Sequence, residues 1–212
     1  MAFGGDNWNI ILPENLLDTS KDRLKNLLAQ FFNSENKIGE KKYDEFYLEN
    51  PPKYFLQGDF LKVVNTLCWD DEKNEYYFDN RLSLLLSNTC DVSTDNKHIL
   101  EKELLYAPIV GLDLYIETLR EDSISNEQIK SITNSLKNQL YSNIFYLPPN
   151  PNNKKEYLIF LDKIFWQPSI TLKNKVDNID NERFLSLDHF GFYLLITKIS
   201  YHLCRVPEVI DR

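Results

Sequence analysis

Gln57-Gly58-Asp59, then Arg81-Leu82-Ser83-Leu84-Leu85-Leu86-Ser87-Asn88-Thr89-Cys90-Asp91, then Tyr106-Ala107-Pro108-Ile109 are the stretches that decide the fold of this chain. The first is a turn that places a carboxylate before a strand. The second is an apolar run typical of a strand covered on both faces, and it ends abruptly in small polar residues. The third is a further short strand. This order favours a compact β-barrel whose strand ends converge on a polar pocket.

The composition indicates a globular protein with a core of its own. Of the 212 residues, 42% are hydrophobic and 13% aromatic, which argues against global disorder and suits one domain over residues 1–212. Only six glycines are present, so a glycine-rich nucleotide-binding framework is disfavoured. The formal charge of -8 repels phosphates, so nucleic acid is a disfavoured partner unless it meets a local basic patch.

Cysteine usage predicts a reducing compartment. Cys68, Cys90 and Cys204 are odd in number and widely spaced, and this pattern indicates neither a disulfide framework nor a zinc ribbon. The first residues lack the basic and apolar regions of a secretory signal. The most apolar segment, 190–203, is interrupted by a lysine and a histidine and is too short for a bilayer. We therefore expect a cytoplasmic protein that uses no membrane, no cofactor and no metal.

Hydrophobic periodicity predicts helices before, within and after the strands. Residues 1–50 are expected to be an N-terminal helical extension, whose helix begins at the capping pattern of Thr19. Residues 54–170 are expected to form the barrel, with an inserted helix at 125–142 that starts with a capping box. A C-terminal helix is predicted over 186–205. Together these elements predict an α+β fold.

A hairpin is predicted at the start of the barrel. The segments 54–64 and 76–78 are rich in aromatic and β-branched residues, and a polar run at 70–74 separates them. The charged residues of that run are expected to be a solvated hairpin tip. The segment 112–119 fits a strand or a helix.

At these same residues the chain resembles the PemK/MazF-like group of SH3-like barrels. In that family a Gly-Asp opens the first strand, a basic residue precedes a buried strand ending in Leu-Ser, and a following strand carries proline. The matching positions are Gly58-Asp59, Arg81 leading into 82–87, and Ala107-Pro108-Ile109, within residues 54–109. The resemblance implies an SH3-like barrel and a place in toxin–antitoxin or phage-defence systems.

Ribonucleases of that family use an arginine and a threonine or serine to activate a ribose 2′-hydroxyl. Arg81 matches the arginine, but Val110-Gly111 stands at the hydroxyl position and offers no side-chain hydrogen bond. The chain also departs from the family's Arg-Pro, because Leu82 follows Arg81. We infer that the barrel is retained and the ribonuclease chemistry is lost. The alternative is a divergent endoribonuclease toxin that uses Arg81 with Ser87 or Thr89.

A second resemblance is broader. Gln57-Gly58-Asp59, the run 86–91, the Tyr-Leu-Pro-Pro at 146–149 and a leucine-rich terminal helix resemble a group of uncharacterised bacterial and phage proteins, some encoded near defence genes. This resemblance spans residues 57–205 and implies no particular activity.

Eight residues are candidates for the polar pocket: Asp59, Arg81, Ser87, Asn88, Thr89, Cys90, Asp91 and His98. The hypothesis is that Asp59, Arg81 and Asp91 meet at one rim of the barrel. One alternative is that residues 87–91 form an Asx or ST turn whose side chains satisfy their own backbone. For Arg81 the alternative is an ion pair with Asp79, Asp59 or Asp91.

The function that this pocket favours is a binding or adaptor component, whose protein partner is encoded nearby or whose ligand is small. A further alternative is a hydrolase in which Cys90 is the nucleophile and His98 its base. A free cysteine is more often a small buried hydrophobe.

Overall fold

The computed structural model describes residues 46–93, 103–149 and 154–204, together with Thr19 and Asp22. Thr19 and Asp22 are helical and exposed. The rest of the predicted N-terminal extension lies outside the described residues, and so does His98. Within these ranges the chain is an α+β fold with seven strands and six helices.

The strands are β1 (Asp59–Asp70), β2 (Glu75–Leu85), β3 (Glu103–Gly111), β4 (Ile144–Leu147), β5 (Tyr157–Phe160), β6 (Phe165–Pro168) and β7 (Arg183–Ser186). The helices are α1 (Thr89–Val92), α2 (Leu112–Glu121), α3 (Asn126–Lys137), α4 (Ser169–Lys173), α5 (Ile179–Glu182) and α6 (His189–Cys204), with a 3-10 turn at Val176–Asn178.

All seven strands belong to one antiparallel sheet. Its order is β4-β5-β3-β2-β1-β7, and β6 pairs with the first half of β3. The predicted hairpin is β1 and β2, whose tight turn places Asn74 at a φ of 54°. Asparagine is one of the few residues that adopt this left-handed conformation readily, which is why it suits the end of a hairpin.

The sheet bends along β1 and is not closed by backbone pairing. The register of β1 against β2 shifts between Leu61 and Val64, and such a bulge bends a strand. Past this bend, side chains bridge β1 to the β6–α4 segment: Gln167 donates to the carbonyl of Asn65 at 2.6 Å, and Lys175 to that of Val63 at 2.7 Å.

The far end of the hairpin has no neighbouring strand on either side among the described residues. β7 pairs with β1 only as far as Leu61, and β3 pairs with β2 only from Ser83. Residues 67–78, which we call the arm, therefore pair only with each other.

Apolar side chains cover both faces of the rest of the sheet. One core packs β-strand residues such as Phe60, Leu84 and Phe145 against Phe190 and Leu194 of α6. A second core fills the inside of the bend with Leu61, Val64, Leu85, Leu104, Tyr106 and Leu172. A third lies between β4–β5 and the helices α2 and α3. Burial of these side chains is the main force that stabilises the fold.

Several sequence predictions are confirmed and others need correction. The capping box is present, with Ser125 and Gln128 bonded reciprocally before α3. The ambiguous segment 112–119 is helical. The sequence predicts one strand over 157–165. The structure has two there, because residues 161–164 turn the chain so that β5 and β6 pair with different halves of β3. The helix α6 was predicted to be buried and apolar, but it also buries Lys198 completely. The ammonium group of Lys198 donates to the backbone and side-chain oxygens of Gln139.

Candidate functional site

Gly58 forms the turn that opens β1. Its φ of 94° is one that residues with a side chain rarely adopt. Its N–H donates to the carbonyl of Leu85 at 2.9 Å, and its own carbonyl accepts from the N–H of Leu187 at 3.1 Å. An added Cβ would lie 3.3 Å from the Cβ of Leu187. Gly58 therefore joins three segments at a point that accommodates a side chain poorly.

Asp59, the next residue, is completely buried in an ion pair that the sequence did not indicate. Its Oδ2 accepts from Arg183 at 3.1 Å and from the N–H of Leu56 at 2.8 Å. Burial raises the pKa of the Asp59 carboxyl, because it removes water from the charged form; the Ser186 hydroxyl, the N–H of Leu56 and Arg183 counteract this in part.

Arg183 uses its buried guanidinium to hold the entry to β1 in place. Besides Asp59 it donates to the carbonyl of Tyr54 at 3.0 Å and to that of Pro52 at 2.6 Å. Arg183 comes from β7, and the three acceptors lie on or before β1, so one side chain fixes how these segments meet. This arrangement is typical of an arginine that satisfies buried oxygen acceptors.

Ser186 lies directly opposite Asp59 in the β1–β7 register. Among the residues that the structure describes, Ser186 Oγ and Asp59 Oδ1 are buried and make no hydrogen bond of normal geometry. A cavity of about 430 Å³ lies beside them, and Arg183, Asp180, Glu49 and Ser186 contribute to its walls. The acidic side chains lower its suitability for an anion.

The polar residues that follow β2 accept hydrogen bonds from backbone N–H groups. Ser87 Oγ accepts from the N–H of Leu105, Asn88 Oδ1 from that of Cys90, and Thr89 Oγ1 from that of Gln57. Only the Asn88 bond is the local kind that the Asx or ST alternative expects, since Ser87 and Thr89 bind backbone groups 18 and 32 residues away in the chain. Thr89 also brings this loop against the turn that precedes Asp59.

The structure does not gather the predicted charges at one rim, because Arg81 lies apart from Asp59. Asp59 enters the sheet beside Leu85, four residues further along β2, which corresponds to ~13 Å. Arg81 instead pairs with Asp79, Nε to Oδ2 at 3.0 Å, and both side chains are partly exposed. The expected cluster of Asp59, Arg81 and Asp91 is therefore corrected to a pair of Asp59 with Arg183.

The remaining candidates lie on or beyond α1. Cys90 is exposed, and Asp91 lies in the first turn of this four-residue helix. His98 lies outside the described residues, so its role as a base for Cys90 stays a prediction.

Among the described residues, the arm carries four exposed apolar side chains that share one face. Leu67 pairs directly with Phe78, and Trp69 with Tyr76, and directly paired residues lie on the same side of a sheet. Their exposed fractions are 53%, 69%, 45% and 67% in that order. The rings of Trp69 and Tyr76 pack edge to face, with their centroids 4.8 Å apart. We call these four residues the arm face.

The arm face lies between an acidic turn and a groove. The turn, residues 70–75, contains four carboxylates and one lysine. At the other end, Asn65 and Asn80 continue the same side of the hairpin and line a cavity of about 220 Å³ with Gln167, Thr171 and Lys175. Polar side chains thus border the apolar patch at both ends.

Sequence reasoning missed Arg183 and the arm face for different reasons. Arg183 is 124 residues from Asp59, and no local pattern relates them. The alternation of Leu67 and Trp69 with polar residues was visible, but alternation normally marks the side of a strand that is buried. Here the buried residues of this part of β1 are Thr66 and Cys68 on the opposite side, and Tyr77, which pairs with Cys68, is itself exposed.

Comparison of the chain with models of known protein families, with curated proteins and with solved structures finds no match in any of the three. In the described part of the chain, no helix has the length and apolar character needed to cross a bilayer. Across those same ranges, no group of three or more His, Cys, Asp or Glu side chains is placed to hold a metal ion.

Proposed function

We propose that this protein is a binding or adaptor component that docks a protein partner on the arm face. The observation that carries the proposal is the exposure of four large apolar side chains, side by side, on a hairpin end that pairs with no other described strand. Exposed patches of this kind mark interaction sites, whereas single exposed apolar residues are normal.

The size of the arm face supports docking of moderate strength. Each of the four side chains has a full accessible area of ~200 Å², and on average a little under 60% of it is exposed, so together they present roughly 450 Å² of accessible surface. This is about half of what one partner buries in a standard interface. At ~25 cal/mol per Å² its burial contributes about 11 kcal/mol, which is comparable to the cost of association. The surrounding polar groups therefore decide affinity and choice of partner.

The experiment is a comparison of two matched variants. The full chain is tagged, its bound proteins are recovered from the cells that express it, and the recovered partner is purified for titration. Phe78→Ser is expected to weaken binding ten- to thirty-fold, about 1.5–2 kcal/mol of lost burial. Leu114→Ser, at an equally exposed position on α2, is expected to bind as the wild type does. Equal binding by both variants would falsify the proposal.

We propose further that the bent sheet is an SH3-like, PemK/MazF-like barrel. The bulge in β1 supports this, and so do the side chains of Gln167 and Lys175 that bridge β1 to the β6–α4 segment. We also propose a cytoplasmic location, which the small, odd number and wide spacing of the cysteines support, because this pattern suits a reducing compartment. A role in a toxin–antitoxin or phage-defence system is a proposal that rests on the motif resemblance alone.

A further inference from the structure

The geometry points to a cationic segment, rich in arginine or lysine, as the partner that occupies the arm face. This inference rests on the proposed docking function and adds the chemistry of the partner.

The first support is uncompensated negative charge beside the arm face. Asp70 pairs with Lys73 at 3.2 Å and also accepts from two backbone N–H groups of the turn. Asp71, Glu72 and Glu75 have no ion-pair partner among the described residues, so the turn carries a net charge of -3. All three are exposed, and an approaching cation can reach them.

The second support is that the exposed rings attract the same sign of charge. The faces of aromatic rings are negative, and a guanidinium or ammonium group within ~6 Å of a ring centre is attracted to them. Trp69 and Tyr76 lie next to the turn: Asp70 follows Trp69 in the chain and Glu75 precedes Tyr76. Asp70 and Glu75 themselves point to the other face of the hairpin, because successive strand residues alternate. The carboxylates that an arginine over these rings can approach are Asp71 and Glu72 of the turn, while aliphatic side chains of the partner cover Leu67 and Phe78.

The negative charge of the turn argues against three other partners for the arm face: a nucleic acid, an anionic lipid surface and a second copy of the chain. A nucleic acid or an anionic lipid surface would bring phosphates to a turn of net charge -3. A second copy of the chain, itself at -8, would bring another acidic turn. Three nearby cations are already paired: Lys73 with Asp70 at 3.2 Å, Arg81 with Asp79 at 3.0 Å, and Lys175 with Glu182 at 2.7 Å. The cationic end of the partner is therefore expected to point towards the turn.

The test uses three synthetic eight-residue peptides in which valine alternates with arginine, glutamine or glutamate. Each carries a fluorescent label and is titrated with the full chain, and the dissociation constants are read from anisotropy. The arginine peptide is expected to bind, and its affinity is expected to fall as salt is raised from 50 to 500 mM. The glutamine and glutamate peptides are expected to bind at least tenfold more weakly. Equal binding of the arginine and glutamine peptides overturns the inference.

Two charge variants separate this inference from the proposed function. The double variant Asp71→Asn with Glu72→Gln is expected to bind the arginine peptide roughly three- to thirty-fold more weakly, which is the range for the loss of two exposed ion pairs. Glu121→Gln with Asp122→Asn alters the net charge equally at a remote exposed site and is expected to have little effect. Suppose that both double variants bind the arginine peptide equally, while Phe78→Ser still lowers the affinity for the purified partner. The cationic inference is then overturned and the docking function stands. If Phe78→Ser leaves the partner's binding unchanged, the docking function fails.

Discussion

Removal of the Arg183 guanidinium should destabilise the fold more than any surface substitution. Arg183→Met keeps the length of the side chain but leaves the buried Asp59 carboxylate without its counter-ion, and two carbonyl groups lose their donor. Breaking a buried ion pair from one side costs about 3–5 kcal/mol. This is a large share of the ~5–15 kcal/mol by which domains are stable.

The cost can be measured by urea unfolding of three variants. With an m-value near 2.5 kcal/mol/M, a loss of ~4 kcal/mol moves the midpoint of Arg183→Met down by about 1.5 M. Arg81→Met is the control, because its exposed pair with Asp79 is expected to contribute less than ~1 kcal/mol. Asp59→Asn combined with Arg183→Met is expected to recover at least half of the loss, since no charge then remains buried and unpaired.

Two results would refute this reasoning about the ion pair. One is a midpoint for Arg183→Met within ~0.4 M of the Arg81→Met control. The other is a double variant that is no more stable than Arg183→Met alone, which would show that lost packing, and not the unpaired carboxylate, accounts for the effect.

Three further predictions concern the turn at the start of β1. Gly58→Ala should cost about 1–2 kcal/mol, because alanine disfavours a φ of 94°, and thermal unfolding measures this. Thr89→Ala should cost about 1 kcal/mol, because the N–H of Gln57 loses its acceptor; faster amide exchange at Gln57 is the specific sign. Since burial raises the pKa of Asp59, the folded chain binds this proton more readily than the unfolded chain does, and stability from this group falls as pH rises from about 3.8 through the raised pKa. The stability of Asp59→Asn relative to wild type should therefore increase over that range in unfolding measurements, and an opposite trend contradicts the assigned shift.

Local signals in the sequence were sufficient for most of the strands and for the helices α3 and α6. The hairpin followed from a polar run between two aromatic segments, and α3 from its capping box, because each depends on residues close together in the chain. The strands β5 and β6 were taken as one, since the turn between them contains no proline or glycine to mark it. The strand β7 was missed for a similar reason: four residues are too few for a periodic pattern.

The candidate site was predicted only in part, because it depends on contacts between distant segments. Gly58 and Asp59 were identified correctly as a special turn, yet the partner of Asp59 was sought at Arg81 and is Arg183. The side chains of Ser87 and Thr89 were candidates for a pocket, and their hydrogen bonds to the backbone appear only when the neighbouring strands are placed.

The arm face was out of reach of the sequence for a related reason. Whether Phe78 is covered depends on which strands stand beside and above it, and β3 begins to pair with β2 only at Ser83. An apolar residue in a strand is ordinarily assigned to the core, so its exposure becomes visible only in three dimensions.

Hydrogen–deuterium exchange of the full chain, with and without its purified partner, tests the docking account most directly. The account predicts that exchange slows in residues 67–78 when the partner is bound, with little change around α2. Unaltered exchange in 67–78, with protection at residues 49–51 and 180–186 around the larger cavity, would contradict it.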